Sequence, residues 1–337
     1  MIWNMENTTK KTNGGIIGVL LRGAGQVMFQ NNAWTGLFFL AGIFYGAVSG
    51  GTPLVAWGAL LGLVVSTMTG YLLGLPETDG NQGLWGFNGI LVGCAFPTFL
   101  GNTLYVWLAL VLCAALTTWV RAGFNNILTL WRINSLTFPF VFCTWVFLFA
   151  ARAMHELPAI HMSTPTLMSH FESIGHMSAG EVAEYWLRGI SQVFLIDSWI
   201  SGAIFMVGLL ISSGWAAVWA GIGSALAMLV ALAMKVSGYD IANGLYGFSA
   251  VLTAIALATI FYKPGLGSAI WAIVGIMVTV FIQAAMNVHL QTWGLPTLTG
   301  PFCITAWLFL LPMLKLDHRK IPDHSNWHKT NKTHLKN

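Results

Sequence analysis

Leu21-Arg22-Gly23-Ala24-Gly25-Gln26-Val27 returns later in the chain as Leu187-Arg188-Gly189-Ile190-Ser191-Gln192-Val193, an offset of 166. Two further stretches repeat at nearly the same distance. Gly83-Leu84-Trp85-Gly86-Phe87, with Leu91 four residues on, returns as Gly244-Leu245-Tyr246-Gly247-Phe248, with Leu252 four residues on, an offset of 161. Leu136-Thr137-Phe138-Pro139-Phe140 returns as Leu298-Thr299-Gly300-Pro301-Phe302, an offset of 162, and Trp145/Trp307 and Phe147/Phe309 extend that match. Three collinear matches at near-constant offset identify an internal duplication.

What is duplicated is apolar. Of the 337 residues 56% are hydrophobic and 8% charged, with a mean hydropathy of +0.71, where a soluble domain carries about a quarter of its residues charged. Disorder and a single water-soluble core are both excluded, the second because too little polar surface exists to cover it. The chain reads as an all-α polytopic membrane protein. Its net charge of +4 comes mostly from the two ends and implies no nucleic-acid partner. Runs of roughly 17–21 apolar residues cross a bilayer core. They fall at 34–50, 53–75, 84–100, 102–120 and 136–154, then at 199–214, 215–234, 244–262, 266–286 and 297–314, ten expected crossings. Two further pieces, 16–30 and 184–197, are interrupted by Arg22 and Arg188. Each reaches only about 22 Å against a core of about 30 Å, so they read as half-helices that enter and stop.

Five crossings per half is an odd number, so the second half is expected upside down relative to the first. That is an inverted repeat, with a pseudo-two-fold axis in the membrane plane and a central pore between the halves. Loop charges agree. With the N-terminus inside, twelve basic residues lie on the inner side (Lys10, Lys11, Arg22, Arg121, Arg132, Lys263, Lys315, Arg319, Lys320, Lys329, Lys332 and Lys336) and three outside (Arg152, Arg188 and Lys235). This fits the positive-inside rule with both termini cytoplasmic. The expected organisation is a cytoplasmic tail 1–15, a first repeat 16–154, an extracytoplasmic linker 155–183, a second repeat 184–314 and a cytoplasmic tail 315–337. Residues Met1 to Asn13 are polar and lack a small-residue cleavage site, so a removed signal peptide is not expected.

Ion-driven transporters carry ionisable residues inside the membrane, and the middles of these crossings contain almost none. Glu77, Asp79 and Asp240 fall in loops, and Asp197 ends a half-helix at the position matched by Asn31. The repeat-matched residues are neutral: Gln26/Gln192, Thr137/Thr299, Phe87/Phe248 and Leu91/Leu252. Such a lining suits a small, uncharged, polar solute. Taking an amide-like molecule out of water without replacement hydrogen bonds costs several kcal/mol, so a pore must supply acceptors for its N–H groups and donors for its carbonyl. Glutamine offers both and threonine adds a hydroxyl. Pro139 and Pro301 are expected at the first position of helices that begin partway through the membrane, after an extended lead-in with free carbonyls. Phe87/Leu91 and Phe248/Leu252, at i and i+4, each share one helix face. Opposed across the axis, those faces would form a flat slot.

These residues resemble the urea transporter family. Leu295-Pro296-Thr297-Leu298-Thr299-Gly300-Pro301-Phe302 fits its L-P-x-x-T-x-P-F signature, and the Gln-Val half-helix and Gly-Phe-x-x-x-Leu elements are similar to the family's as well. The first-half copy of the signature departs, with Ile133-Asn134 where Leu-Pro would stand, and Leu195 occupies the place matched by Phe29. The resemblance covers about residues 16 to 314. It implies a channel in a plasma membrane (a bacterial inner membrane) that passes urea down its gradient as a homotrimer, one pore per protomer within the lipid bilayer, with no cofactor, metal or enzymatic activity. Carried over residue by residue, it implies a substrate-binding filter of Gln26, Val27, Phe29, Phe87, Leu91, Thr137, Gln192, Val193, Phe248, Leu252 and Thr299.

The main competing reading is an ion-coupled carrier for a small metabolite, with Asp197 and Asn31 holding the cation. A membrane hydrolase would need a nucleophile with a base, and the one histidine in a crossing, His289, lies at a helix end without a repeat mate. Cys94, Cys113, Cys143 and Cys303 all lie in apolar runs and are expected as inert buried thiols. Arg22 and Arg188, one turn before the glutamines, either face the pore mouth or anchor the half-helices, anchoring being the commoner use. Gly42, Gly46 and Gly50 read as close helix packing. His318, His324, His328 and His334 in the tail match no structured metal spacing.

Overall fold

Polar residues at helix starts divide the apolar chain into helices. The computed structural model describes residues 15–161, 174–312, 314 and 316; the N-terminal tail, most of the C-terminal tail with its four histidines, and the middle of the linker lie outside these. Fourteen α-helices form among the described residues, in two sets of seven that follow the same order. The first set is α1 (Gly15–Gln26), α2 (Ala33–Ser49), α3 (Pro53–Leu72), α4 (Glu77–Asn81), α5 (Phe87–Phe99), α6 (Leu104–Leu128) and α7 (Phe138–Ala151). The second is α8 (Ala179–Ser191), α9 (Trp199–Ser212), α10 (Gly214–Ala233), α11 (Gly238–Ala242), α12 (Gly247–Ile255), α13 (Leu266–Gln291) and α14 (Gly300–Leu310). The described residues form no strand, only an isolated bridge between Leu100 and Ala159.

Capping follows the repeat at α2 and α9 and differs elsewhere. Asn32 accepts from the backbone N–H of Trp34 and Thr35 to start α2, and its mate Ser198 accepts from Ser201 to start α9. Thr103 and Ser213 do the same for α6 and α10, and Ser178 with Glu181 forms a capping box on α8. Each such oxygen satisfies an amide that has no partner inside its helix, worth about 1 kcal/mol in water.

Four helices are long and apolar enough to cross a membrane unaided: Pro53–Leu72, Leu104–Trp131, Gly214–Ala233 and Leu266–Gln291. A fifth span forms if α8 and α9, bent 73° at their junction, count as one. The chain is a multi-pass membrane protein. The remaining expected crossings are helical, but over 11 to 17 residues, or about 16–26 Å at 1.5 Å per residue. The apolar runs overstate helix length because they include residues that cannot be helical: Leu136 and Leu298 have φ of 54° and 50°, in the left-handed region, and α7 and α14 begin only after them.

Packing is also duplicated. In the first set α3 lies against α5 and α6; in the second α10 lies against α12 and α13. The α3–α5 contact is close because a Cβ at Gly58 or Gly62 would strike the backbone carbonyl of Gly93 or Gly89. The two sets meet where α2 crosses α9 and where α7 meets α14. Gly42 receives the Phe205 ring and Gly46 the side chains of Ile196 and Ser201, whereas Gly50 meets only its own helix end and Thr52, so the glycine row packs through two members of the expected three.

Candidate functional site

The half-helices end alike. α1 stops at Gln26, and Val27, Met28 and Phe29 bond back to the carbonyls of Ala24, Gly25 and Gln26. α8 stops at Ser191 and continues as a 3-10 turn, Gln192–Phe194. Phe29 and Leu195 close the two turns with φ of 63° and 56°, an unusual conformation for residues with a Cβ and a marker of imposed geometry. Gly83 and Gly244, also at positive φ, approach so near Gly23 and Gly189 that a side chain at either would overlap backbone. That contact seats each half-helix against the turn leading into α5 or α12.

Both arginines anchor. Arg22 Nε donates to the Asn81 carbonyl at 2.7 Å, and Arg188 Nη1 donates to the carbonyl of Ala242, the matching residue, at 3.2 Å. Arg188 Nε also lies 3.4 Å from the Asp197 carboxylate. Asp197 thus faces a fixed cation of its own chain, which argues against its holding a transported one. His289 is exposed at the end of α13. The four cysteines are free and buried.

Gln26 is buried, and its amide nitrogen donates to the Gln82 carbonyl at 2.8 Å; Gln192 is half-buried. Val27, Val193, Phe87, Leu91, Phe248 and Leu252 belong to one hydrophobic cluster, with Phe29 and Leu195 packed on its edge. Phe29 meets Phe261 and Phe302 edge-on at 6.0 and 5.9 Å between centroids, a favourable aromatic geometry.

The two halves also meet through polar atoms. Thr137 and Thr299 occupy the N-caps of α7 and α14, each 2% exposed, with their hydroxyl oxygens 2.7 Å apart. Thr137 Oγ1 also lies 3.3 Å from Cys303 Sγ. The lead-ins are held reciprocally. Trp307 Nε1 donates to the Asn134 carbonyl at 2.9 Å, and Trp145 Nε1 donates to the Pro296 carbonyl at 2.8 Å. Each tryptophan therefore clamps the other half's threonine turn. The missing Leu-Pro in the first half changes nothing at the threonines: Thr137 has φ −91°, ψ 9° and Thr299 φ −86°, ψ 18°.

Two details correct the sequence expectation. Pro139 and Pro301 take the second helical position, after Phe138 and Gly300, still within the first turn whose amides have no helical partner. The lead-in is without regular structure through Ser135 and Thr297, turns left-handed at Leu136 and Leu298, and has two of its carbonyls taken by the tryptophans.

A family model described as urea transporter matches residues 17–313. The chain belongs to the urea transporter family. It is 28% identical over 295 residues to urea transporter 1 of Ovis aries, of Capra hircus and of Rattus norvegicus, an alignment that covers 87% of this chain and 76% of each relative. Within the urea transporter match lie the second half-helix, all but the first two residues of the first, and every glutamine, threonine and tryptophan described above.

Three groups beside the site are missed by the sequence reading. Cys303 reads there only as an inert thiol, although it lies one turn after Thr299. Asn88 Oδ1 accepts from the Phe140 amide at 3.2 Å, tying α5 to the start of α7. Arg121 pairs with Asp79 at 3.0 Å and lies 5.9 Å from the centre of the Phe87 ring. A search for polar residues within one turn of each repeat-matched pair finds the first two; Arg121, on a later helix than Phe87, leaves no local signal.

Proposed function

We propose that the chain is a channel-like facilitator that passes urea down its gradient. The observation that carries this reading is the pair of N-cap threonines in contact at 2.7 Å, where two helices from opposite halves begin inside an apolar cluster. A dehydrated planar amide would lie between apolar faces that include Phe87/Leu91 and Phe248/Leu252, with Val27, Val193 and Phe29 at the half-helix ends. Its edges would bond in turn to Gln26, Thr137, Thr299 and Gln192. Gln26 suits an acceptor's place, because one N–H of its amide is held by the Gln82 carbonyl, which fixes the group, and its oxygen keeps its lone pairs for a solute. Movement is fast when each bonding position has a similar neighbour, so that release from one is offset by capture at the next.

The two sets of helices, 16–154 and 184–314, form inverted repeats in this reading. A two-fold axis makes contacts reciprocal. The Trp145 and Trp307 bonds are so related, and Thr35 donates to the Gly208 carbonyl while its mate Ser201 donates to that of Gly42, Gly208's mate. Both tails are cytoplasmic and the 155–183 linker extracytoplasmic, from the distribution of lysine and arginine. The assembly proposed is a homotrimer in a bacterial inner membrane, with one pore per protomer. Stopped-flow light scattering of proteoliposomes tests the function. Urea is expected to re-enter shrunken vesicles many times faster than in protein-free controls, with glycerol unaccelerated. Equal rates for urea with and without protein would refute the proposal.

A further inference from the structure

We propose that Cys303 is a positioning residue of the filter: its sulfur takes the Thr137 hydroxyl proton, so that Thr137 and Thr299 both turn acceptor lone pairs toward the solute. The inference deepens the urea-channel reading and rests on it. A threonine hydroxyl has one proton and two lone pairs. Thr137 Oγ1 stands between two partners, Thr299 Oγ1 at 2.7 Å and Cys303 Sγ at 3.3 Å. All three residues are buried, at 2%, 2% and 0% exposure, so water does not set the direction of the chain.

Thr137 accepting from both neighbours would leave its own buried proton unbonded, so a chain that uses that proton runs one of two ways. Either Thr299 donates to Thr137 and Thr137 to the sulfur, or the thiol donates to Thr137 and Thr137 to Thr299. A hydroxyl is the stronger donor and a thiol a weak one, which favours the first. Direction then matters to the guest. In the first arrangement both hydroxyl protons are consumed within the chain, and the exposed lone pairs accept only from N–H groups. In the second, the Thr299 proton points outward and one acceptor becomes a donor. The residue matched to Cys303 in the first half is Val141, which has no hydrogen-bonding side-chain atom. The direction is therefore set from one end, by a residue the duplication does not share. The ligand class selected is a planar amide with N–H groups on both sides of its carbonyl, in preference to one with a methyl on one side.

Urea and acetamide differ in that respect and are nearly the same size. The test measures both permeabilities in proteoliposomes holding the parent chain, Cys303→Ala or Cys303→Ser. Cys303→Ala should lower the urea-to-acetamide ratio about fivefold, the worth of one neutral hydrogen bond near 1 kcal/mol, and Cys303→Ser, whose proton goes to the Thr299 carbonyl one turn back so that its oxygen accepts from Thr137, should restore it. The ratio is independent of how much protein is folded, because both solutes sample the same channels. If the alanine variant yields no channels, Cys303→Val, the residue found at position 141, replaces it. A ratio within twofold of the parent in the variant lacking the sulfur, or no rescue by serine, overturns the role of Cys303 and leaves the channel reading standing. A parent chain that does not pass urea overturns both.

Discussion

Thr299→Val removes a single oxygen from the meeting point of the two halves and replaces it with a methyl of nearly the same volume. For the fold, the loss is one buried hydrogen bond at 2.7 Å, about 1 kcal/mol. Thr137 keeps Cys303 as a partner at 3.3 Å, so no buried polar atom is orphaned. The melting temperature of a protein this size should fall by about 1–2 °C. For permeation the cost is larger on the proposed pathway, where a solute stripped of water would find an apolar surface in place of an acceptor. An uncompensated amide hydrogen bond costs about 1–3 kcal/mol in protein measurements, and at about 1.4 kcal/mol per tenfold the urea rate should drop about 5- to 150-fold. Thr299→Ser keeps the hydroxyl and should stay within about threefold of the parent. Stopped-flow urea entry into proteoliposomes, normalised to incorporated protein, reads both. A Thr299→Val channel that melts near the parent temperature and passes urea at the parent rate would remove Thr299 from the pathway, and with it the argument that paired N-cap hydroxyls form the midpoint.

Trp307→Phe keeps the ring bulk but leaves the Asn134 carbonyl without its 2.9 Å donor; we expect a loss of about 1–2 kcal/mol, seen as a lower melting temperature, together with slower urea entry because the turn carrying Thr137 loosens. Unchanged melting and flux would show that the clamp is incidental. At Asp240, in the short helix α11 outside the spans, burial pushes the carboxyl up to about 6 from 3.8. The folded state then binds the proton more tightly than the unfolded chain, so stability is greatest below about pH 4 and falls as pH rises toward 6, by at most about 3 kcal/mol. Asp240→Asn should abolish that slope and melt higher than the parent at pH 7.5; a variant no more stable than the parent at that pH would contradict it.

The duplication makes much of the fold legible, because a repeat reports on tertiary pairing that single residues cannot. Gln26 with Gln192 and Thr137 with Thr299 stand out as matched polar residues among apolar neighbours, and the threonines do meet. Helix length is less legible. Hydropathy counts Leu136 and Leu298 toward a span whether or not their backbone is helical, so the short α7 and α14 read as full crossings. Cys303 escapes notice for a related reason: its significance comes from Thr137, a residue of the other half. Arg121 and Asp79 are remote in the chain and pair only because α4 folds back beside α6.

The two halves agree at the threonine contact and in the seating of each half-helix, and diverge in the charged groups around α4 and α11. Thr137 and Thr299 share a contact, and Trp145 and Trp307 exchange bonds across it, so a change on one side alters the other directly. Away from that meeting point the coupling is lost. Arg121, which neutralises Asp79, is matched by Gln283, which bonds instead to Thr297 at 2.7 Å and Asn287 at 3.0 Å. Asp240, matched to Asp79, makes no ion pair among the described residues. Of this matched pair the first carboxylate is neutralised and the second is not, while at the middle the threonines and tryptophans stay matched and Cys303 has Val141 as its mate. For an uncharged solute this difference matters little, since charge differences between the halves act weakly on a molecule without net charge.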